Sequence, residues 1–124
     1  MSGQDFSLID LFRDEIKAHT QLLNHGLLDL ESAPSDGRRI EPLMRAAHSI
    51  KGAARIIGLD AVVDLAHIME DALVAAQNNR ILLDSRDIDI LLRGTDLLNE
   101  LSEGSQQFME SWGSTHAEEL QQLQ

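Results

Sequence analysis

The chain has no cysteine and no tyrosine, and only three phenylalanines and one tryptophan among its 124 residues. Absence of cysteine excludes disulfides, thiolate metal sites and cysteine nucleophiles. It also fits a cytoplasmic location, where thiol pairing contributes nothing to stability. With aromatics at 3%, a core has to be assembled from Leu, Ile, Val, Ala and Met, which suits packed helices. No apolar run reaches the roughly 20 residues that a bilayer span requires, so no membrane contact is expected. The start, MSGQDFSLID, lacks a basic region followed by an apolar stretch, so no signal peptide is expected. Basic residues are scarce, ten against 21 acidic ones, for a formal net charge of −11. Such a chain repels phosphate backbones, which excludes nucleic acid as its main partner.

What is present is enough for one domain with a single core. Hydrophobic residues make up 43% and charged residues 25%, ordinary values for a globular protein. The few cations are unevenly spread. Arg38, Arg39, Arg45, Lys51 and Arg55 fall in one stretch whose only acid is Glu41. A solvated helix face explains such a stretch, and so does a surface for a small anion or an acidic partner.

Apolar residues recur at steps of three and four nearly throughout, the mark of amphipathic helices. Leu8, Ile9, Phe12, Ile16, His19, Leu23, Leu27 and Leu30 form the first stripe, with Ser7 and Asp10 as a possible cap. Ser32 to Gly37 reads as a loop. Ile40, Leu43, Met44, Ala47, Ile50, Ala54 and Ile57 form the second stripe. Pro42 implies that this helix starts there or is kinked there. Gly58 should end it, and Asp60 should cap the next helix. That third helix carries Val62, Val63, Ala66, Met69, Leu73 and Ala76, and Asn78-Asn79 should end it. Asp84-Ser85 with Asp87 reads as the cap of a fourth helix bearing Ile88, Leu91, Leu92, Thr95, Leu98 and Leu101. Convincing strand alternation, phosphate-binding glycine loops, zinc spacings and internal repeats are absent.

The pattern predicts an all-α fold: an antiparallel up-down four-helix bundle over residues 1–105. Residues 106–124 are expected as a C-terminal extension. In it Phe108, Met109 and Trp112 either pack on the bundle as a fifth helix or begin a linker to another domain.

The informative stretch is His48-Ser49-Ile50-Lys51-Gly52-Ala53-Ala54-Arg55-Ile56-Ile57-Gly58. At about 100° per residue His48 lies on the flank of the apolar stripe, open to solvent. Lys51 and Gly52 are its neighbours at i+3 and i+4, and Arg55 follows along the same edge. Glycine inside a helix costs about 1 kcal/mol relative to Ala. Either a partner's active site needs the space beside His48, or another helix packs tightly on Gly52. His67 and Glu70 share a face of the third helix, which can oppose His48 if the two helices form a hairpin. A carboxylate on one imidazole nitrogen would set the tautomer and leave the other nitrogen nucleophilic. An ammonium nearby could stabilise phosphoryl oxygens. Spacing alone does not separate this arrangement from an inert surface histidine.

Arg45-Ala46-Ala47-His48-Ser49-Ile50-Lys51-Gly52-Ala53-Ala54, followed by Gly58, Leu65, His67, Met69, Glu70 and Leu73, closely resembles the N-terminal histidine-containing phosphotransfer (HPt, P1-type) domain of CheA-type chemosensory histidine kinases. The likeness spans residues 5–105 in pattern and is most specific from 45 to 73. Within the family it is nearest to hybrid kinases of Wsp-type surface-sensing pathways. The resemblance implies that His48 is the phosphoacceptor, with Glu70 orienting it and Lys51 and His67 completing the polar network. Arg45, Gly52 and Arg55 would meet partners. The partners implied are the ATP-binding domain of a histidine kinase and a response-regulator receiver. The domain itself would be a phosphoryl carrier and not an enzyme, holding no cofactor or metal; ATP and Mg²⁺ would belong to the partner domains. Ala53 replaces a frequent second Gly, and Ile57 a frequent Phe. Both departures bear on partner preference more than on phosphorylation.

Two other readings stand beside this one. A docking module with an idle His48 has the same helical pattern. A metal-binding bundle would need several Glu and His side chains from four helices, whereas this chain offers one His-x-x-Glu, His67 with Glu70. His19 is expected to pack within the first stripe, and His25 and His116 to face solvent.

Overall fold

The computed structural model describes residues 3–32, 37–104 and 106–123. They form six helices: α1 (Gly3–Leu30), α2 (Gly37–Ile57), α3 (Asp60–Gln77), α4 (Ser85–Glu103), α5 (Gln106–Thr115) and α6 (Ala117–Leu123). Helices α1 to α4 are the expected antiparallel bundle, and no strand occurs among the described residues.

Local chemistry places most of the boundaries. At the end of α2, Gly58 takes φ +79°, a left-handed conformation that costs glycine nothing. Gly58 N–H donates to the Arg55 carbonyl (3.2 Å) and Leu59 N–H to the Ala54 carbonyl (3.0 Å). That pair of bonds is a Schellman motif, and it turns the chain straight into α3. Asn79, at φ +59°, repeats the motif after α3, with Asn79 N–H on Ala76 and Arg80 N–H on Ala75. Asp84 and Asp87 form a reciprocal capping box at the start of α4.

Several expectations need correction. Helix α1 already begins at Gly3, so Ser7 lies inside it and does not start it. Helix α2 begins at Gly37, five residues before Pro42, which overturns the start at Pro42 and leaves only the other reading of that proline, a kink; burial of Ile40 and Leu43 carries the helix past a residue that has no N–H to give. Asp60 is the first helical residue of α3 and Leu59 its cap, with no side-chain bond there; Asp60 still opposes the positive end of the helix dipole. His19 sits at the edge of its stripe, with Nε2 3.0 Å from Glu15 Oε2, while Thr20 takes the buried place beside it. Of the expected loop, residues 33–36 lie outside the described residues.

The core runs along all four stripes. Ile16, Leu23 and Leu27 of α1 meet Leu43, Ala47 and Ile50 of α2, Leu65, Met69 and Leu73 of α3, and Leu91, Leu98 and Leu101 of α4 in one buried cluster. Helix α2 lies between α1 and α3, and α1 also packs on α4. The α3–α4 seam is looser. It leaves a cavity of about 180 Å³ lined by Leu65, Met69, Leu83, Ile90 and Gly94 among others.

Residues 106–123 pack on the bundle as α5 and α6. Met109 and Trp112 belong to the same buried cluster as the four long helices. Helix α6 is tied back by Arg93, whose Nε and Nη2 both donate to the Glu119 carboxylate, the latter at 3.0 Å. That bond, from Arg93 of α4, holds Glu119 below the usual carboxylate range and keeps Arg93 firmly charged. His116 is mostly buried, contrary to expectation. Its Nε2 lies 3.2 Å from Glu100 Oε2, and its ring sits 5.4 Å from that of Trp112.

Candidate phosphoacceptor site

The site sits where the middle of α2 faces the middle of α3. The Gly58–Leu59 turn forces the two helices into an antiparallel hairpin. His48 and Lys51, one turn apart on α2, therefore confront Glu70 on α3. His48 Nδ1 is 2.6 Å from Glu70 Oε2, and Lys51 Nζ donates to Glu70 Oε1, also at 2.6 Å. One carboxylate thus serves both groups, one oxygen each.

Exposure separates their roles. The His48 side chain is 67% exposed, whereas those of Lys51 and Glu70 are at 12% and 13%. Partial burial pushes the Glu70 pKa up, but the hydrogen bonds from Lys51 and His48 and the positive charge of Lys51 outweigh it. The net result lies below the ordinary carboxylate value. Glu70 is therefore an anion at neutral pH. A neutral imidazole donating Nδ1–H to that anion carries its lone pair on Nε2, on the ring edge away from Glu70. Lys51 differs from expectation in one respect: its ammonium is committed to Glu70 and only through it to His48.

The sign of the Glu70 shift gives a pH prediction. A carboxylate more acidic in the folded state stabilises the fold above its unfolded pKa and loses that contribution as pH falls through its folded pKa. The stability difference between wild type and Glu70→Gln should be full at neutral pH and shrink on acidification below the ordinary carboxylate range. Thermal melts of both proteins across that range would test it; a difference that grows on acidification would contradict the assignment.

Two other expected site residues are not gathered with this set. The His67 side chain is 55% exposed, and its Nε2 lies 3.4 Å from Asp71 Oδ1 on its own helix. Its i+4 neighbour captures it, so His67 is not part of the His48–Glu70–Lys51 hydrogen bonding. Arg55 is exposed in the last turn of α2, about 10 Å along the axis from His48. Arg45 is closer, one turn before His48, and its Nε and Nη2 both donate to Glu41 Oε1 at 3.1 and 2.7 Å.

One of the two explanations for Gly52 falls away. A Cβ built there meets nothing within 4 Å, so no helix packs on it, and the space beside His48 is open. Gly52→Ala should stabilise the fold by about 1 kcal/mol through helix propensity yet slow transfer to a partner. Denaturant melts and transfer rates on one sample test the pair of effects; unchanged transfer would remove the approach role.

That open space continues into a feature the apolar periodicity did not reveal. Leu8, Leu11 and Phe12 of α1 and Ser49, Gly52, Ala53, Ile56 and Ile57 of α2 line a groove of about 420 Å³. Leu8, Leu11 and Ile56 are 46%, 61% and 76% exposed. Leu11 and Ile56 fall off the apolar stripes, and that misfit was the available signal. Large apolar side chains grouped in water along one groove are what a docking surface exposes.

A sequence profile described as Hpt domain matches residues 7–124. The chain belongs to the Hpt domain family. This Hpt domain is 36% identical to the chemotaxis protein CheA of Listeria monocytogenes over 95 residues, 77% of this chain and 15% of that protein. It is also 36% identical to a gliding motility regulatory protein of Myxococcus xanthus over 97 residues, 78% of this chain and 12% of that protein. The chain therefore spans about 15% or less of these relatives' length. Among solved structures it superposes on the phosphorylated P1 domain of CheA3, in complex with CheY6, from R. sphaeroides. The TM-score is 0.79 at 26% identity, over 94% of this chain and 92% of that one. The CheA phosphotransferase domain of Thermotoga maritima gives a TM-score of 0.76 at 32% identity, over 83% of this chain and 96% of that one. Among the described residues no helix is long and apolar enough to cross a membrane.

Proposed function

We propose that this Hpt domain is a phosphoryl carrier in a chemosensory two-component pathway. His48 accepts a phosphoryl group from the ATP-binding domain of a histidine kinase and passes it to an aspartate of a response-regulator receiver. The observation that carries this reading is an exposed imidazole whose Nδ1 is held at 2.6 Å by a partly buried, ionised carboxylate.

The chemistry follows from that bond. The Nε2 lone pair attacks the γ-phosphorus of ATP, the P–O bond to ADP breaks, and ADP leaves with the electron pair. The ring becomes a phosphorylated imidazolium that keeps its Nδ1 proton, and the Glu70 carboxylate beside it balances the new positive charge. No proton has to leave in that step. Lys51 keeps Glu70 ionised and aimed. His67, one turn before Glu70 on α3, is a supporting group at most.

ATP and its Mg²⁺ are assigned to the kinase domain, and the phosphorylated aspartate to the receiver. The groove beside Gly52 suits the receiver, as the likeness to a P1 domain in complex with CheY6 suggests. A cytoplasmic location and a CheA-like parent kinase, with a Wsp-type hybrid kinase as the specific candidate, belong to the same proposal.

The test is to incubate the domain with its ATP-binding domain and ATP, then with a panel of receivers. The expected product is acid-labile, base-stable phosphate on His48 that one receiver removes. An unphosphorylated domain that still binds its partners would leave a docking module in place of a carrier. Glu70→Ala should slow labelling by about 10–100-fold, the usual cost of losing a group that orients an active histidine. It should also destabilise the fold by about 1–3 kcal/mol by leaving Lys51 without its partner. Radiolabelling rates and thermal melts check both effects, and unchanged labelling would show that tautomer control lies elsewhere.

A further inference from the structure

With Glu70 on Nδ1, a phosphoryl group on Nε2 stands away from the Glu70–Lys51 pair. It carries close to two negative charges at neutral pH. Some cation should meet it, and the expected one, Lys51, is already engaged and nearly buried. Arg55 is two turns away. His67 is turned toward Asp71 on its own helix, Nε2 lying 3.4 Å from Oδ1.

Among the described residues, Arg45 is the cation one turn from His48 that Glu70 does not hold. It lies at i−3 from His48, a position whose side chain is a surface neighbour. Helical side chains lean toward the N-terminus, so the imidazole leans over the turn that contains Arg45. On the helical wheel Arg45 falls on the Gly52 side of His48, opposite the Lys51 side that faces α3. Its side chain is 75% exposed, so it is free to swing. Its present partner, Glu41, takes Nε and Nη2 through a single oxygen, which leaves Nη1 outside that contact. An exposed i,i+4 pair of this kind holds only weakly. A phosphoryl group offers more charge and three acceptor oxygens to a planar guanidinium.

We propose that Arg45 is the cation that receives the phosphoryl group on His48, parked on Glu41 until phosphorylation draws it one turn along α2. This rests on the carrier reading above and assigns a further residue of that site. Arg45 then does for the phosphoryl oxygens what Glu70 does for the ring: it stabilises the charge that appears only in the phosphorylated state.

The test is the equilibrium between ATP with unphosphorylated domain and ADP with phosphorylated domain. It is set up at fixed nucleotide ratio with a trace of the ATP-binding domain, so that impaired docking delays the end point without moving it. Relative to wild type, Arg45→Ala should lower the equilibrium ratio of phosphorylated to unphosphorylated domain about fivefold, the order of one exposed charge-assisted hydrogen bond. Arg45→Lys should recover part of it. In parallel, the Arg45 Nε–Hε NMR signal should move on phosphorylation of wild type and stay in place in His48→Gln under the same treatment. An equal end point for Arg45→Ala and wild type, or an unmoved Arg45 signal, overturns the Arg45 assignment while leaving the carrier reading intact. Failure of wild type itself to accept phosphate overturns the carrier reading.

Discussion

His48→Gln should reduce phosphoryl labelling to assay background while leaving the fold unchanged. The two halves of that result have separate causes. Labelling needs a nitrogen lone pair aimed at phosphorus, and glutamine has only an amide nitrogen whose lone pair is delocalised into the carbonyl. No other group takes over: Lys51 is bound to Glu70, and His67 stands beside Asp71 on α3. The fold survives because the His48 side chain is 67% exposed and buries little apolar surface. A glutamine amide can still donate to Glu70, so the carboxylate is not stranded. Thermal stability should stay within about 0.5 kcal/mol of wild type, as for other surface replacements. Labelling by the kinase domain and a melt on the same sample measure both. Normal labelling of this variant would refute the phosphoacceptor assignment outright, because among the described residues no other imidazole is as exposed as His48 with a carboxylate 2.6 Å from its Nδ1.

Trp112→Ala should destabilise the whole domain by about 3–5 kcal/mol, as large-to-small changes of buried aromatics do. Melting should fall by about 10–20 °C for a chain of this size. Trp112 is fully buried although it comes from α5, beyond the four long helices, and Met109 is buried with it. Helix α5 reaches that depth because Gly113 has no side chain: a Cβ there would come within 2.6 Å of the Ala61 Cβ on α3. Trp112→Phe should cost far less. The indole Nε1–H is buried with no hydrogen-bond partner among the described residues, so its removal strands nothing. Denaturant melts of the two variants would test this. A small effect of Trp112→Ala would mean that α5 rests on the bundle without stabilising it, and that residues 106–124 are an extension in the energetic sense too.

Much of the fold could be read directly. The stripes of α1 to α4, the Gly58 and Asn79 helix ends and the Asp84–Asp87 cap all depend on neighbours within a few residues, and such signals survive without any tertiary knowledge. Starts signalled by a single polar residue or a proline fared worse. Ser7, Pro42 and Asp60 each carry a genuine local preference, but continuation of α1, burial of Ile40 and Leu43, and the Gly58–Leu59 turn respectively set the observed starts. His19 and His116 were misjudged for a related reason. A histidine is equally content at a stripe edge or beside a carboxylate, and which one occurs depends on what packs opposite.

At the site, periodicity placed His48 on a flank and Lys51 and Gly52 beside it, because those relations lie within one helix. It placed His67 and Glu70 together for the same reason. Only the packed hairpin separated them, since Glu70 reaches across to α2 while His67 turns to Asp71 on its own helix. The sequence alone thus determined a helical bundle with a solvent-facing histidine one turn from a lysine and a glycine. The tertiary structure decided that the lysine serves the glutamate, that the space at Gly52 is open, and that the last helices share the core. The physical reason is range: helical spacing fixes neighbours about 5 Å apart on one element, whereas a hydrogen bond between elements depends on how every other side chain in the core has packed.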